Sequence, residues 1–258
     1  MKRLLVTGGC GYLGRELVRR AGDAGWSVRA TWWRRAPIGS AEWVHADVRD
    51  AEALQRAAAD VDAVIHTAYL QGPGEWEVNV DGTAAVAAAA RGRRFIHLSS
   101  DVVFDGRQGR YREEAEPAPV NSYGRSKTEA ERMVMEIHGE ATVARTSLIY
   151  GGADPGPQER LARTGTRFYI DEIRSPVQVA DLARALLEVL EMDVHGALHL
   201  GGADDVSRFD FALLLGADAS RIEPARTTPE RAPDVSLDSS RAAVLLETRL
   251  RGAREVLG

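Results

Sequence analysis

Residues 1–20 read MKRLLVTGGCGYLGRELVRR, and their order decides the fold. Met1–Thr7 reads as a buried strand, Leu13–Gly22 as a helix, and Gly8, Gly9, Gly11 and Gly14 form the turn between them. A glycine turn at the first strand-to-helix junction lets backbone N–H groups and the helix N-terminus meet a pyrophosphate, which side chains would otherwise block.

Outward from that junction the pattern repeats. Strands are predicted at Trp26–Trp33, Trp43–Ala46, Ala63–Thr67, Phe95–Ser99 and Ala141–Thr146. Helices are predicted at Asp50–Asp60, with Asp50 as N-cap, through Val78–Arg91, and at Ser122–His138. Regular β–α alternation implies right-handed crossovers and a doubly wound parallel α/β sheet of the Rossmann type. After Tyr150 the pattern loosens. Gly151–Pro157 is rich in turn residues, Arg167–Ile170 and Ala197–Gly201 read as short strands, and Val177–Glu191 and Asp238–Leu257 as helices. The expected organisation is a cofactor-binding domain over 1–150 and a small α/β substrate lobe over 151–258, with some segments returning to the Rossmann core.

Composition narrows the function classes. The chain has 258 residues, 44% of them hydrophobic, and a net charge of −5, which argues against a nucleic-acid or anionic-membrane surface. Its one cysteine, Cys10, suits a reducing compartment, and with no apolar stretch of membrane-spanning length a cytoplasmic location is expected. No His/Cys/Asp/Glu cluster has metal-ligand spacing, so no metal is expected. His45, His97 and His199 read as core or sheet-face residues, and Glu113, Glu114 and Glu116 as a solvated acidic loop.

The second strand ends Thr31-Trp32-Trp33-Arg34-Arg35, where NAD-preferring sites place an acid for the ribose hydroxyls. Two guanidiniums at that point match a 2′-phosphate, so the expected cofactor is NADP(H). Tyr123-Gly124-Arg125-Ser126-Lys127 sets a phenol and an ammonium one turn apart on a predicted helix, hence on one face. The nearby ammonium favours the phenolate and brings the tyrosine's proton transfer closer to neutral pH.

The spacing Gly8-x-x-Gly11-x-x-Gly14 resembles the T-G-x-x-G-x-x-G turn of the extended short-chain dehydrogenases/reductases. Ser99-Ser100-Asp101-Val102-Val103-Phe104-Asp105-Gly106 resembles the S-T-D-Y-V-F-D-G stretch of the dTDP-4-dehydrorhamnose reductase family. His66–Tyr69, Asn79–Thr83, Arg145–Ser147, Arg174–Pro176, Val179–Ala183 and Asp234–Arg241 agree with that family in order. The resemblance implies reduction of a keto group on a nucleotide-activated deoxysugar by NADPH. It gives Ser100 to the substrate carbonyl, Tyr123 to the proton transfer and Lys127 to the tyrosine and the nicotinamide ribose. Gly8, Gly11, Tyr12, Leu13, Gly14, Arg34, Arg35, Thr67, Ala68, Tyr69, Asn79 and Ser99 would line the cofactor, with Asp47-Val48 as the family's pair beside adenine. Asp101, Val102 and Leu148 would face the substrate, although Val102 and Leu148 stand where the family carries aromatics. The expected partner is the small-molecule substrate, and the expected assembly a homodimer. A related reductase or epimerase on another carbonyl is the alternative. So is a non-catalytic, NADP-binding regulatory subunit, since the regulatory subunit of methionine adenosyltransferase resembles the same family.

Overall fold

A computed structural model describes residues 2–258. The first half runs β1 (Arg3–Thr7), α1 (Tyr12–Asp23), β2 (Ser27–Trp32), β3 (Glu42–His45), α2 (Ala51–Ala58) and β4 (Ala63–His66). A π-helical turn (Glu77–Asp81) then leads into α3 (Gly82–Ala89), followed by β5 (Arg94–Ser100), α4 (Ser122–Ile137) and β6 (Thr142–Thr146). Next come β7 (Ile149–Tyr150), α5 (Pro157–Thr164), β8 (Arg167–Tyr169), β9 (Ile173–Arg174), β10 (Val177–Gln178) and α6 (Val179–Leu190). The chain closes with β11 (Gly196–His199), β12 (Val206–Ser207), α7 (Arg208–Leu214), β13 (Glu223–Ala225), α8 (Ser240–Leu245) and α9 (Ala253–Leu257).

The central sheet has seven strands in the order β11-β6-β5-β4-β1-β2-β3. Leu4 of β1 pairs with Val28 of β2 on one side and Ala63 of β4 on the other, in parallel register. The winding reverses between β1 and β4, the topological switch point outside whose carboxyl ends such sheets bind ligands. Helices cover both faces, so Leu4, Val6, Val64 and Ile65 are buried as a continuous apolar run rather than an alternation.

Two compact units make up the chain. The first comprises Met1–Ser99, Ser126–Ala144 and Leu186–Gly196, and the second Ser100–Arg125, Arg145–Ala185 and Ala197–Gly258. The chain passes between these units several times. The first unit's core joins Leu5, Leu54, Val64, Val86, Phe95 and Val134. Small residues set its spacing: a Cβ on Gly82 would sit 2.7 Å from Val48 Cγ2, so α3 packs close because it is nearly all glycine and alanine. The second unit holds separate apolar clusters around Phe104 and Tyr111, around Tyr150 and Phe211, and around Phe168 and Ile222. Its paired strands are short: β7 with β10, β9 with β12, and β8 with β13.

The expected closing helix over Asp238–Leu257 is instead two helices, α8 and α9. Leu246 turns to extended backbone, and the segment after it is drawn onto acidic neighbours. Arg251 Nε donates to Asp181 Oδ2 (2.8 Å), and Gly252 passes the Asp204 carboxylate where any side chain would collide. Tertiary ion pairing thus overrides an alanine-and-leucine helix pattern. The acidic loop is also less solvated than expected, since Glu113 Oε1 accepts from the His199 amide (3.1 Å).

Candidate active site

The glycine turn is a place where backbone must pass backbone. Gly8 has φ +76°, and a Cβ there would lie 2.7 Å from the Ala68 amide nitrogen. A Cβ on Gly14 would collide with the Gly8 carbonyl oxygen, so α1 can start against the end of β1 only with hydrogen at that position. The turn is fixed by Gly11 N–H donating to Gly8 O (2.9 Å) and Gly8 N–H donating to Thr31 Oγ1 (3.2 Å). No side chain caps α1 at Gly11, and Tyr12 and Leu13 open the helix, Leu13 buried. Hydrogen-bond donors at a helix's positive end, with no capping side chain over them, are what a phosphate group requires.

Arg34 and Arg35 lie exposed just beyond β2. Burial raises the pKa of the Cys10 thiol in this turn, and the charges of Arg15 and Arg35 pull it the other way. Arg15, one turn into α1, was not among the residues expected from the sequence. Asp47 is held below the usual carboxylate range chiefly by Arg49, whose backbone N–H (3.0 Å) and Nε (3.0 Å) it accepts. Val48 is buried in the core beside Gly82. Thr67 Oγ1 donates to Thr7 O (2.9 Å), Ala68 packs on Gly8, and Tyr69 is 55% exposed. Asn79, carried on the π-helical turn, spans the loop after β4. Its amide accepts from Leu70 N (2.8 Å), donates to Leu70 O (2.8 Å), and donates to Ser126 Oγ (3.0 Å).

Ser126 neighbours Lys127, which α4 carries one turn after Tyr123. Lys127 is 3% exposed; its Nζ donates to Leu98 O (2.7 Å) and lies 3.4 Å from His97 Nε2. Burial pulls its pKa down to about 8, opposed by Glu131 one turn further along. Glu131 accepts the hydroxyl proton of Ser99, so that serine is already engaged. Beneath the ammonium, His97 stacks on His66 with ring centroids 5.4 Å apart. His66 bonds Thr7 Oγ1 (2.6 Å) and Thr83 Oγ1 (2.9 Å), and burial, then Lys127, lowers its pKa to about 3. His97 is pushed well down by burial and then by Lys127. Burial thus disfavours protonation of both rings, leaving Lys127 as the cation of this buried polar row and Glu131 as its acid. Glu131 had a sequence signal, its position four residues after Lys127; the pairing of His66 with His97 is visible only once β4 and β5 are neighbours.

In the second unit, Ser100 caps a short 3-10 turn, Asp101–Val103. Its Oγ donates to Asp101 Oδ1 (3.0 Å), and Ser147 Oγ donates to Asp101 Oδ2 (2.6 Å). Asp101 is 3% exposed; burial raises its pKa, against Arg174 and the two serine hydroxyls, which lower it. Tyr123 is half-buried at the start of α4, whose Gly124 amide donates to Asn121 Oδ1 (2.8 Å). A Cβ on Gly124 would collide with the Val102 carbonyl oxygen, so the Ser100–Val102 turn and the first turn of α4 abut. Val102 is half-buried there, and Leu148 packs against the Tyr150–Phe211 cluster. Among the described residues, no His/Cys/Asp/Glu group could hold a metal ion, and no helix is long and apolar enough to cross a membrane.

The chain is similar to known proteins along nearly its whole length. The chain is 34% identical to the dTDP-4-dehydrorhamnose reductase of Mycolicibacterium smegmatis, over 99% of this chain and 84% of that one. It is 30% identical to methionine adenosyltransferase 2 subunit beta of Bos taurus, over 95% of this chain and 82% of that one. The solved structure of a hypothetical dTDP-4-dehydrorhamnose reductase from Sulfolobus tokodaii superposes with a TM-score of 0.84 at 26% identity, covering 96% of each chain. The family model described as RmlD substrate binding domain matches residues 1–253, and the chain belongs to that family.

Proposed function

We propose that this chain is an NADPH-dependent reductase of a keto group on a nucleotide-activated deoxysugar, working as a cytoplasmic enzyme and as a homodimer. The observation that carries the reading is Lys127: an ammonium sealed in the protein, held by a backbone carbonyl, one helical turn from Tyr123.

The turn at Gly8–Gly14 fits a dinucleotide, because Gly8 and Gly14 let β1 meet α1 in a tight turn and no side chain caps the helix at Gly11. Its backbone donors and the start of α1 would hold the pyrophosphate, Arg34 and Arg35 the 2′-phosphate, and Thr67–Tyr69, ordered by Asn79, the rest of the cofactor. When bound, NADPH supplies the hydride. On substrate binding Ser100 turns its hydroxyl proton from Asp101 Oδ1 to the substrate's carbonyl oxygen, polarising it and fixing its orientation. Tyr123 gives its phenolic proton to that oxygen as it becomes an alkoxide, leaving a hydroxyl on the product. Lys127 stabilises the phenolate that remains until solvent returns the proton. The similarity to methionine adenosyltransferase 2 subunit beta favours a second reading, a cofactor-binding regulatory subunit without turnover.

Mixing the protein with NADPH and a panel of dTDP- and UDP-linked 4-keto-6-deoxysugars separates the two. The reductase reading expects loss of NADPH absorbance matched by appearance of the alcohol, with kcat/KM of roughly 10⁴ M⁻¹s⁻¹ or better for its own substrate. Tight NADPH binding with no turnover across the panel would favour the regulatory reading.

A further inference from the structure

Three arginines of the second unit converge on too few carboxylates. Glu172, 1% exposed, accepts a two-pronged contact from Arg231, through Nε and through Nη2 (3.0 Å). Arg174, 6% exposed, lies 3.7 Å from the same carboxylate and spends its guanidinium on three backbone carbonyls. Arg208 is the third. It follows β12, which pairs Val206 with Arg174 and Ser207 with Ile173, and its backbone N–H donates to Glu172 O (2.9 Å). Among the described residues no carboxylate ion-pairs with its side chain; Nη1 donates to the neutral Gln158 Oε1 (2.8 Å).

The electrostatics agree with that geometry. Desolvation, then the charges of Arg174 and Arg231, hold the Arg208 guanidinium down to about 10, with Glu172 and Asp101 pulling the other way. Arg208 also opens α7, where a cation faces the positive end of the backbone dipoles. A partly buried guanidinium in such surroundings destabilises the chain that carries it. The imbalance is reasonable if a negative group completes the cluster when the protein works. Asp101, next in the chain to Ser100, is close enough to Arg208 for each to shift the other's titration. Geometry ties the cluster to the turn that presents Ser100: Ser175, next to Arg174, donates its amide N–H to Ser147 Oγ (3.2 Å), and Ser147 Oγ donates to Asp101 Oδ2 (2.6 Å).

We propose that Arg208, with Gln158 beside it, binds the diphosphate of the nucleotide-linked substrate. This rests on the nucleotide-sugar reading above and names the residue that anchors the substrate's charged end. A guanidinium fork grips phosphate oxygens in pairs, the Gln158 amide group can donate alongside it, and Arg174 and Arg231 add a diffuse positive field that suits a group carrying more than one charge. A carboxylate on the sugar ring is the other anion that could satisfy the same fork.

The test is titration of the NADP-loaded protein with dTDP, UDP, UDP-glucose and UDP-glucuronate, for the natural chain and for Arg208→Ala, Arg208→Lys and Gln158→Ala. Arg208→Ala should weaken the nucleoside diphosphates about 10–100-fold, the worth of a charge-assisted phosphate contact. Arg208→Lys, keeping the charge without the fork, should fall between, and NADPH affinity should not move in any variant. If Arg208→Ala does not fold, the lysine and Gln158→Ala variants carry the same comparison with smaller losses. Unchanged dTDP and UDP affinity in folded variants would overturn the proposal while leaving the reductase reading in place. So would a loss confined to the preference for UDP-glucuronate over UDP-glucose, which would move the anion to the sugar. A natural protein that binds none of these nucleotides, though it binds NADPH, would overturn this proposal together with the nucleotide-sugar reading.

Discussion

Lys127, which we propose as the partner of Tyr123, is a costly group to bury. Lowering its titration from 10.5 to about 8 corresponds to roughly 3 kcal/mol of unfavourable burial at neutral pH. The sign follows from proton counting. Between about pH 8 and 10.5 the unfolded chain still holds the proton that the folded chain has released, so stability rises with pH across that window. Below pH 8 both states are protonated and the full cost remains. Lys127→Met should therefore lack this rise: its unfolding free energy relative to the natural protein, from urea midpoints, should be most favourable at pH 7 and decline toward pH 10.5. A pH-independent difference would mean the ammonium is not desolvated as described. The same substitution should reduce turnover and weaken NADPH binding.

We place cofactor discrimination at the junction of β1, α1 and β2. β2 delivers Arg34 and Arg35 past the sheet's edge, where an acid would favour NAD. NADPH should bind at least tenfold more tightly than NADH, since a charge-assisted phosphate contact is worth about 1.5–3 kcal/mol. Replacing both arginines with alanine should abolish the preference in fluorescence titrations; equal affinities in the natural protein would contradict it. Elements of this kind were legible in the sequence. The central strands fall within a residue or two of expectation because a sheet covered on both faces demands short apolar runs, and Asp50 caps α2 through the Ala53 amide (3.0 Å) as its residue type predicts. What was not legible depends on distant partners. Arg251 meets Asp181 and breaks the expected closing helix, Glu131 takes the Ser99 hydroxyl, and α7 brings Arg208 to the Glu172 cluster. The π-helical turn that carries Asn79 leaves no local mark either; its use becomes visible in the amide's grip on Leu70 and Ser126.

For the molecule as a whole, a dTDP-4-dehydrorhamnose reductase and methionine adenosyltransferase 2 subunit beta both align along nearly the entire chain, at 34% and 30% identity. The reductase reading rests on the three groups we propose as catalytic. Ser100, Tyr123 and Lys127 are all present, and the chain bears the cost of burying Lys127. The most direct test is Tyr123→Phe, assayed for NADPH affinity and for kcat on the keto-sugar that the natural protein turns over. The phenylalanine keeps the ring and removes only the proton. NADPH affinity and thermal stability should be retained while kcat falls about 10²–10⁴-fold, the usual contribution of general acid catalysis. Full activity in Tyr123→Phe would contradict the account.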